Sequence, residues 1–269
     1  MNYLIIKKNL TINGVLNPSV AIKKGLTVSV LEMESRILER VTTEEMSAFY
    51  NQLHTDQGVN ILTSTQAKAF KGSETVESVV CDDHEIPADL VIVGIGILPN
   101  TEMAQAAGLE TNNGLVVDEH CRTSNEHIFA AGDCANFAYK GQRIRVESVG
   151  SAIAHSAVAA EPIFGKVSSY EALPWFWSDQ FNTKLQIAGL NFGYTDVVER
   201  INGEKISFWY FKEGNLLSVD AINDPISFMV GKKLIEMKKV IDPRDLKSEN
   251  FNLKGLLKGC LLYTTDAAD

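Results

Sequence analysis

Asp89-Leu-Val-Ile-Val-Gly94-Ile-Gly96 reads as an apolar strand that ends in a turn containing two glycines. A strand apolar on both faces belongs inside a sheet covered by other layers. Upstream, Leu26-Thr-Val-Ser-Val-Leu31 is a second β-branched apolar run, closed by Glu32. A helix is predicted between them. Thr42 with Glu45 makes a capping box, Met46, Phe49, Tyr50 and Leu53 follow at helical spacing, and Gly58 stops it. Residues 59–62 then read as a strand, and 66–70 with 76–81 as a hairpin through Lys71-Gly72-Ser73. Strand, helix, strand, hairpin, strand predicts an α/β fold with a mainly parallel sheet.

Toward the N-terminus, residues 3–7 read as a further strand. Toward the C-terminus, 101–108 reads as one or two helical turns, Leu115-Val-Val117 as a short strand, and Ile128-Phe-Ala-Ala131 as a buried strand running into Gly132-Asp133. Residues 147–161 form a helix of small side chains. Beyond Tyr170 the pattern becomes antiparallel, with strands at 184–188, 196–201, 205–211 and 216–221 and a hairpin turn at Glu213-Gly214-Asn215. Asp224-Pro225 supplies an N-cap and a proline at the first helical position, and that helix is predicted to reach about Val240. Domain edges are expected near residues 115 and 170.

A chain of 269 residues, 45% hydrophobic and 22% charged, can bury one large or two small cores. Its net charge of −9 argues against a nucleic-acid partner, because a phosphate backbone is repelled on average. No apolar run approaches the roughly 20 residues of a membrane-spanning helix. Cys81, Cys121, Cys134 and Cys260 are scattered without a CxxC pair, so neither a metal site nor a disulfide scaffold is expected, and the compartment reads as a reducing cytoplasm.

Four features carry candidate chemistry. Glu32, just past a buried strand, can accept both hydroxyls of an adenosine ribose and repel a 2′-phosphate, or it is simply a strand-ending surface glutamate. Gly94-x-Gly96-x-x-Pro99 sits where ligands bind in open α/β sheets, although a tight turn accounts for two glycines equally well. Thr123 followed by Ile128–Asp133 delivers a carboxylate beside a glycine, placed either for a polyol or as a helix N-cap. Trp175-Phe-Trp177 puts two indoles on one face if extended, as core or as a cofactor cover.

In their joint order these stretches resemble the flavin-dependent ferredoxin reductases of oxygenase systems, the putidaredoxin and rubredoxin reductase group of the pyridine nucleotide-disulfide oxidoreductase superfamily. The resemblance runs through 28–36, 88–100, Thr123 to Cys134, Val146-Glu147-Ser148 and Leu173 to Gln180, and covers about residues 19 to 258. It implies a Rossmann-like flavoprotein with two dinucleotide-binding domains, incomplete here, and an α+β C-terminal domain with an antiparallel sheet. Residues 1–115 would be NAD-binding, 116–170 the second part of the FAD-binding domain and 171–258 the reductase C-terminal domain. The implied cofactors are FAD and NADH, and the implied partner is a ferredoxin or rubredoxin. For NAD the resemblance implies Gly14, Glu32, Arg36, Gly94 and Gly96. For FAD it implies Thr123, Gly132, Asp133, Ser148, Val149 and Trp177, with Glu147 and Trp177 near the ring and no general base. Other readings are an NADH oxidase, a nitrite-reductase-like flavoprotein, or a non-catalytic module without flavin.

Two departures stand out. The nicotinamide-site fingerprint G-x-G-x-x-G falls on Asn9, Thr11 and Gly14, so only its third glycine is present. No FAD-binding unit precedes it, so the chain reads as the C-terminal portion of a reductase that by itself is inactive and does not hold FAD tightly. The stretch 259–269 resembles no protein of the family. A basic run from Gly231 onward, including Lys232, Lys233, Lys238 and Lys239, reads either as a solvated helix face or as a face that steers an acidic acceptor.

Overall fold

The computed structural model describes residues 2–7, 18–39, 42–248 and 251–257. They form two compact units, one of the residues up to Ile97 together with Gln180–Asn182, the other of Leu98–Asp179 and the residues from Thr183 on.

The first unit contains β1 (Asn2–Lys7), α1 (Pro18–Lys23), β2 (Thr27–Glu32), α2 (Glu44–Asp56), β3 (Asn60–Leu62), β4 (Ala69–Lys71), β5 (Ser78–Val80), β6 (Glu85–Pro87) and β7 (Leu90–Gly94). The main sheet has the order β3-β2-β1-β7. β2 and β3 are parallel, but β1 runs antiparallel to both β2 and β7, with Lys7 opposite Thr27. β2, β3 and β7 therefore run the same way, and β1 alone departs from the expected mainly parallel sheet. Lys7 and Thr27, paired to each other, stand at the same end of the sheet, so β1 and β2 need no crossover between them. The six residues of α1 span only about 9 Å, against roughly 20 Å for a six-residue strand. β4, β5 and β6 form a separate antiparallel sheet, and its third strand carries no alternation that the sequence could reveal.

β2 is buried on both faces. Val28 and Val30 pack with Ala21, Leu26 and Val59, while Leu31 joins Val79, Cys81 and Ala88. Helix α2 is capped by Thr43, whose hydroxyl accepts from the Met46 N–H at 3.4 Å, and not by the expected Thr42–Glu45 box. Glu44 and Glu45 then lie in the first turn, where carboxylates favour the helix dipole.

The second unit contains α3 (Glu102–Ala106), β8 (Leu115–Val116), β9 (Ala135–Tyr139), β10 (Gln142–Arg145), α4 (Val149–Ala160), β11 (Trp175–Gln180), β12 (Thr183–Gly189), β13 (Asp196–Asn202), β14 (Lys205–Lys212), β15 (Asn215–Ile222), α5 (Pro225–Glu236) and α6 (Pro243–Leu246). Residues 128–131 are not the predicted strand. They make one bridge, Arg122 to Phe129, and then enter a 3-10 turn at Gly132–Cys134. Thr123 sits at the break: its hydroxyl donates to the Ile128 carbonyl at 2.9 Å and accepts from the Asn125 N–H at 3.2 Å, which curls the segment. The sequence reading also missed the β9–β10 hairpin, which turns through Lys140 and Gly141, both at positive φ.

The C-terminal sheet has the order β11-β12-β15-β14-β13. Its four predicted strands and its helix are all present, although α5 ends at Glu236 rather than near Val240. Trp209, Phe211 and Val219 from the sheet pack against Val230, Leu234 and Ile235 of α5. Gly231 lets the helix lie this close, since a Cβ there would stand 2.5 Å from a Val219 methyl. Asp224 caps α5 as read, accepting from the Ser227 N–H at 3.1 Å and from its hydroxyl. Asp224→Ala should cost about 1–2 kcal/mol; urea unfolding checks this, and an unchanged midpoint would contradict it.

Candidate functional site

In the first unit two of the candidate nicotinamide residues, Glu32 and Gly94, stand at the same end of the sheet. Asn2 of β1 stands opposite both Glu32 and Gly94, so these two lie about 10 Å apart across β1, twice the ~4.8 Å strand spacing. Gly96 has φ +94 and open space where a Cβ would sit. Val93, Ile95, Ile97 and Leu98 around it are exposed, an uncovered apolar rim beside the strand end. Glu32 is not a surface glutamate. It is 3% exposed, and its Oε1 accepts the Glu34 N–H at 3.0 Å. Arg36 turns inward, donating to the carbonyls of Glu39 and Thr43 and to the Ser47 hydroxyl, and so ties the loop after β2 onto α2. Gly14 lies outside the described residues, as do Cys260 and the stretch 259–269.

In the second unit the candidate flavin residues gather around the amino end of α4. Ser148 caps that helix, its hydroxyl accepting from the Ser151 N–H at 3.1 Å, and Val149 beside it is exposed. Gly132 has φ +73, and a Cβ there would stand 3.2 Å from the Ala152 methyl. The Asp133 turn therefore lies directly on the helix. The Asp133 side chain is solvent-facing. Trp175 and Trp177 stack at 5.3 Å between ring centroids, and a Cβ on Gly150 would stand 2.3 Å from the Trp175 indole nitrogen. Thr123 does only local work here, holding the turn from Asn125 to Ile128.

Two residues that the sequence reading missed support this group. Arg145 donates to the Asp133 carbonyl at 2.6 Å and pairs with the Glu147 carboxylate at 2.7 Å. It passes Gly114, where a Cβ would press within 2.7 Å of the arginine side chain. The alternation of Arg143 and Arg145 in β10 was its only signal. His155, wholly buried, accepts the Gly132 N–H at Nδ1. A single histidine in a helix of alanines and serines gave no periodic hint of this.

The lysines read as a steering face are partly occupied. Lys232 lies 5.5 Å over the Trp175 ring, Lys233 pairs with Glu236 at 3.7 Å, and Lys239 donates to the Leu256 carbonyl. Among the described residues no helix is long and apolar enough to cross a membrane, and no group of three side chains is arranged to hold a metal ion. Cys81 and Cys121 are buried and free, and burial pushes the Cys121 thiol up to about 11.

The chain as a whole is similar to known proteins. Residues 14–160 match the pyridine nucleotide-disulphide oxidoreductase family, and residues 175–257 match the reductase C-terminal family. The chain is 40% identical over 247 residues to putidaredoxin reductase of Pseudomonas putida, covering 89% of this chain and 58% of that protein. It is 36% identical over 242 residues to rhodocoxin reductase of Rhodococcus erythropolis, covering 88% and 57%. The reductase in the covalent putidaredoxin reductase–putidaredoxin complex superposes with a TM-score of 0.86 at 40% identity, over 90% of this chain and 60% of that one. The ferredoxin reductase of the CYP199A2 system from Rhodopseudomonas palustris gives 0.85 at 36% identity, over 88% and 60%. The chain thus spans less than two thirds of the length of these relatives.

Proposed function

Because the chain belongs to the pyridine nucleotide-disulphide oxidoreductase family, we propose that it serves a cytoplasmic oxidoreductase that carries electrons from NADH through FAD to a ferredoxin or rubredoxin of an oxygenase system. The observation that supports this most directly is the Gly132–Asp133 turn lying against the amino end of α4, with an exposed carboxylate beside a glycine of positive φ. The match of residues 175–257 to the reductase C-terminal family favours a ferredoxin-type acceptor over the NADH oxidase reading.

The residues fit a flavin. Gly132 offers backbone that a ligand can approach, and Asp133 can accept the hydroxyls of a ribityl chain. The first-turn N–H groups of α4 carry partial positive charge suited to an anionic ring edge. The stacked Trp175 and Trp177 offer a flat apolar cover that keeps water away. Arg145 holds Asp133 and Glu147 in one frame, so both carboxylate-bearing residues are oriented before any ligand arrives. FAD, when bound, would supply the chemistry that takes one hydride, that is two electrons, from a nicotinamide and returns them one at a time to an iron–sulfur acceptor. At the other candidate site, Glu32 would take ribose hydroxyls and repel a 2′-phosphate.

The test joins this chain to the part of putidaredoxin reductase that it does not match, and loads the chimera with FAD. Bleaching of the flavin by NADH, followed by reduction of a [2Fe–2S] protein, is the expected result. A chimera with stoichiometric flavin that NADH does not bleach would overturn the reading. In the same chimera Glu32→Gln should narrow the preference for NADH over NADPH about tenfold, measured as the ratio of kcat/KM values, because the like-charge penalty on the 2′-phosphate is gone. An unchanged ratio would remove Glu32 from the nicotinamide site.

A further inference from the structure

His155 lies on the buried face of α4, one turn beyond Ser151. Its ring is fully buried, packed 3.9 Å from the Tyr170 ring and 4.8 Å from Phe137, measured between centroids. Nδ1 accepts the Gly132 N–H at 3.3 Å, while the buried Nε2 has no partner among the described residues. A neutral imidazole that accepts at Nδ1 carries its proton on Nε2, so this one bond selects the tautomer. On its far side the flavin-facing turn is fixed by Arg145 through the Asp133 carbonyl. On the helix side its polar anchor is His155, beside the methyl contact of Ala152.

We propose that His155 is a positioning residue for the flavin-facing turn: its neutral ring holds the Gly132 N–H, keeps Asp133 against the amino end of α4, and lets the turn go when it is protonated. This rests on the reading of Gly132 and Asp133 as flavin contacts. The protonated ring is a donor at both nitrogens, so Nδ1–H would face the Gly132 N–H, and neither donor would have an acceptor in a site closed to water. No facing group offsets that. Tyr170 and the nearby Cys121 thiol both have raised pKa values and stay neutral in acid, and Phe137 and Ser151 carry no charge. The charges on the turn are Asp133 and Arg145, and Arg145 is paired with Glu147. Burial alone holds the ring down to about 4, so the turn is locked at neutral pH and released in acid.

The experiment is NMR on the chain as it stands, following the Gly132 and Asp133 amides from pH 7 to pH 3.5 and during titration with FAD to millimolar concentration. The unaltered chain should show the Gly132 amide moving with a midpoint of about 4. His155→Leu should weaken FAD about tenfold at pH 7, and His155→Gln, which keeps an acceptor oxygen but does not titrate, should recover most of that affinity and show a markedly smaller Gly132 shift with pH than the unaltered chain. If the leucine variant does not fold, the reduced Gly132 shift of the glutamine variant still decides. A Gly132 amide indifferent to the His155 titration, or a folded leucine variant that binds FAD like the unaltered chain, would overturn the proposal. FAD that leaves both amides unmoved would instead remove the flavin reading of this turn, while the Gly132 titration would still show whether His155 holds it.

Discussion

Trp209→Ala is expected to destabilise the C-terminal sheet by about 3–5 kcal/mol, the range for deleting a large aromatic side chain from a packed core. Trp209 is wholly buried, at the centre of the layer between β14 and α5, and sits among Phe211, Val219, Val230 and Leu234. Its indole N–H donates to the Ser207 hydroxyl at 3.1 Å, and Ser207 in turn donates to Ser227, which donates to the Asp224 cap. The alanine variant therefore leaves a cavity and strands the end of a buried hydrogen-bond chain that ties the helix start to the sheet. Trp209→Phe keeps most of the volume but breaks that chain, and should cost less than half as much. Urea unfolding followed by far-ultraviolet circular dichroism separates the two. Equal losses for both variants would mean that the hydrogen-bond chain, and not the filled volume, sets the stability of this layer.

Acid should weaken the second unit through His155. His155 has an ordinary value of 6.5 and is lowered to about 4 by burial. Between these values the unfolded chain binds a proton that the folded chain does not, so stability falls as pH falls. The contribution is fully present above about pH 6.5 and is lost progressively down to about pH 4, a total on the order of 3 kcal/mol. His54, whose pKa is also lowered by burial although Gln180 partly opposes this, acts in the same direction in the first unit. The measurement is the unfolding free energy of the chain and of His155→Gln at pH 7 and pH 4.5. The glutamine variant should lose markedly less over this range, and parallel losses would show that His155 titrates at its ordinary value in the folded protein.

Much of the architecture was legible because it rests on short-range rules. Short runs rich in apolar, β-branched and aromatic residues place β12 to β15, and Glu213-Gly214 turns between the last two at positive φ. Asp224-Pro225 starts α5 where an N-cap and a first-turn proline must stand. Ser148 and the run of small residues mark α4, whose close packing on Gly132 needs those small side chains. Glu32, Gly94, Gly96, Gly132 and Asp133 stood out from local pattern with plain structural alternatives beside them, and the family resemblance chose between the two; the strand expected before Gly132 and Asp133 is a turn. Gly114 is a different case: its φ of +122 and its approach to Arg145 depend on a strand 31 residues further on.

By itself, then, the sequence determined the order and type of most elements, the antiparallel C-terminal sheet, and which residues stand at strand ends and helix starts. Each of these follows from side-chain period, cap chemistry or backbone freedom within a few residues. Only the tertiary structure decided the direction of β1, the burial of Glu32, the inward turn of Arg36, and the service of Arg145 and His155 to the Asp133 turn. Strand direction depends on how a connection returns, and a polar side chain takes whichever partners the fold brings within about 3 Å. Neither is encoded in any local pattern, because the partners lie 12 or 23 residues apart in the site and meet only when the sheet and α4 have packed.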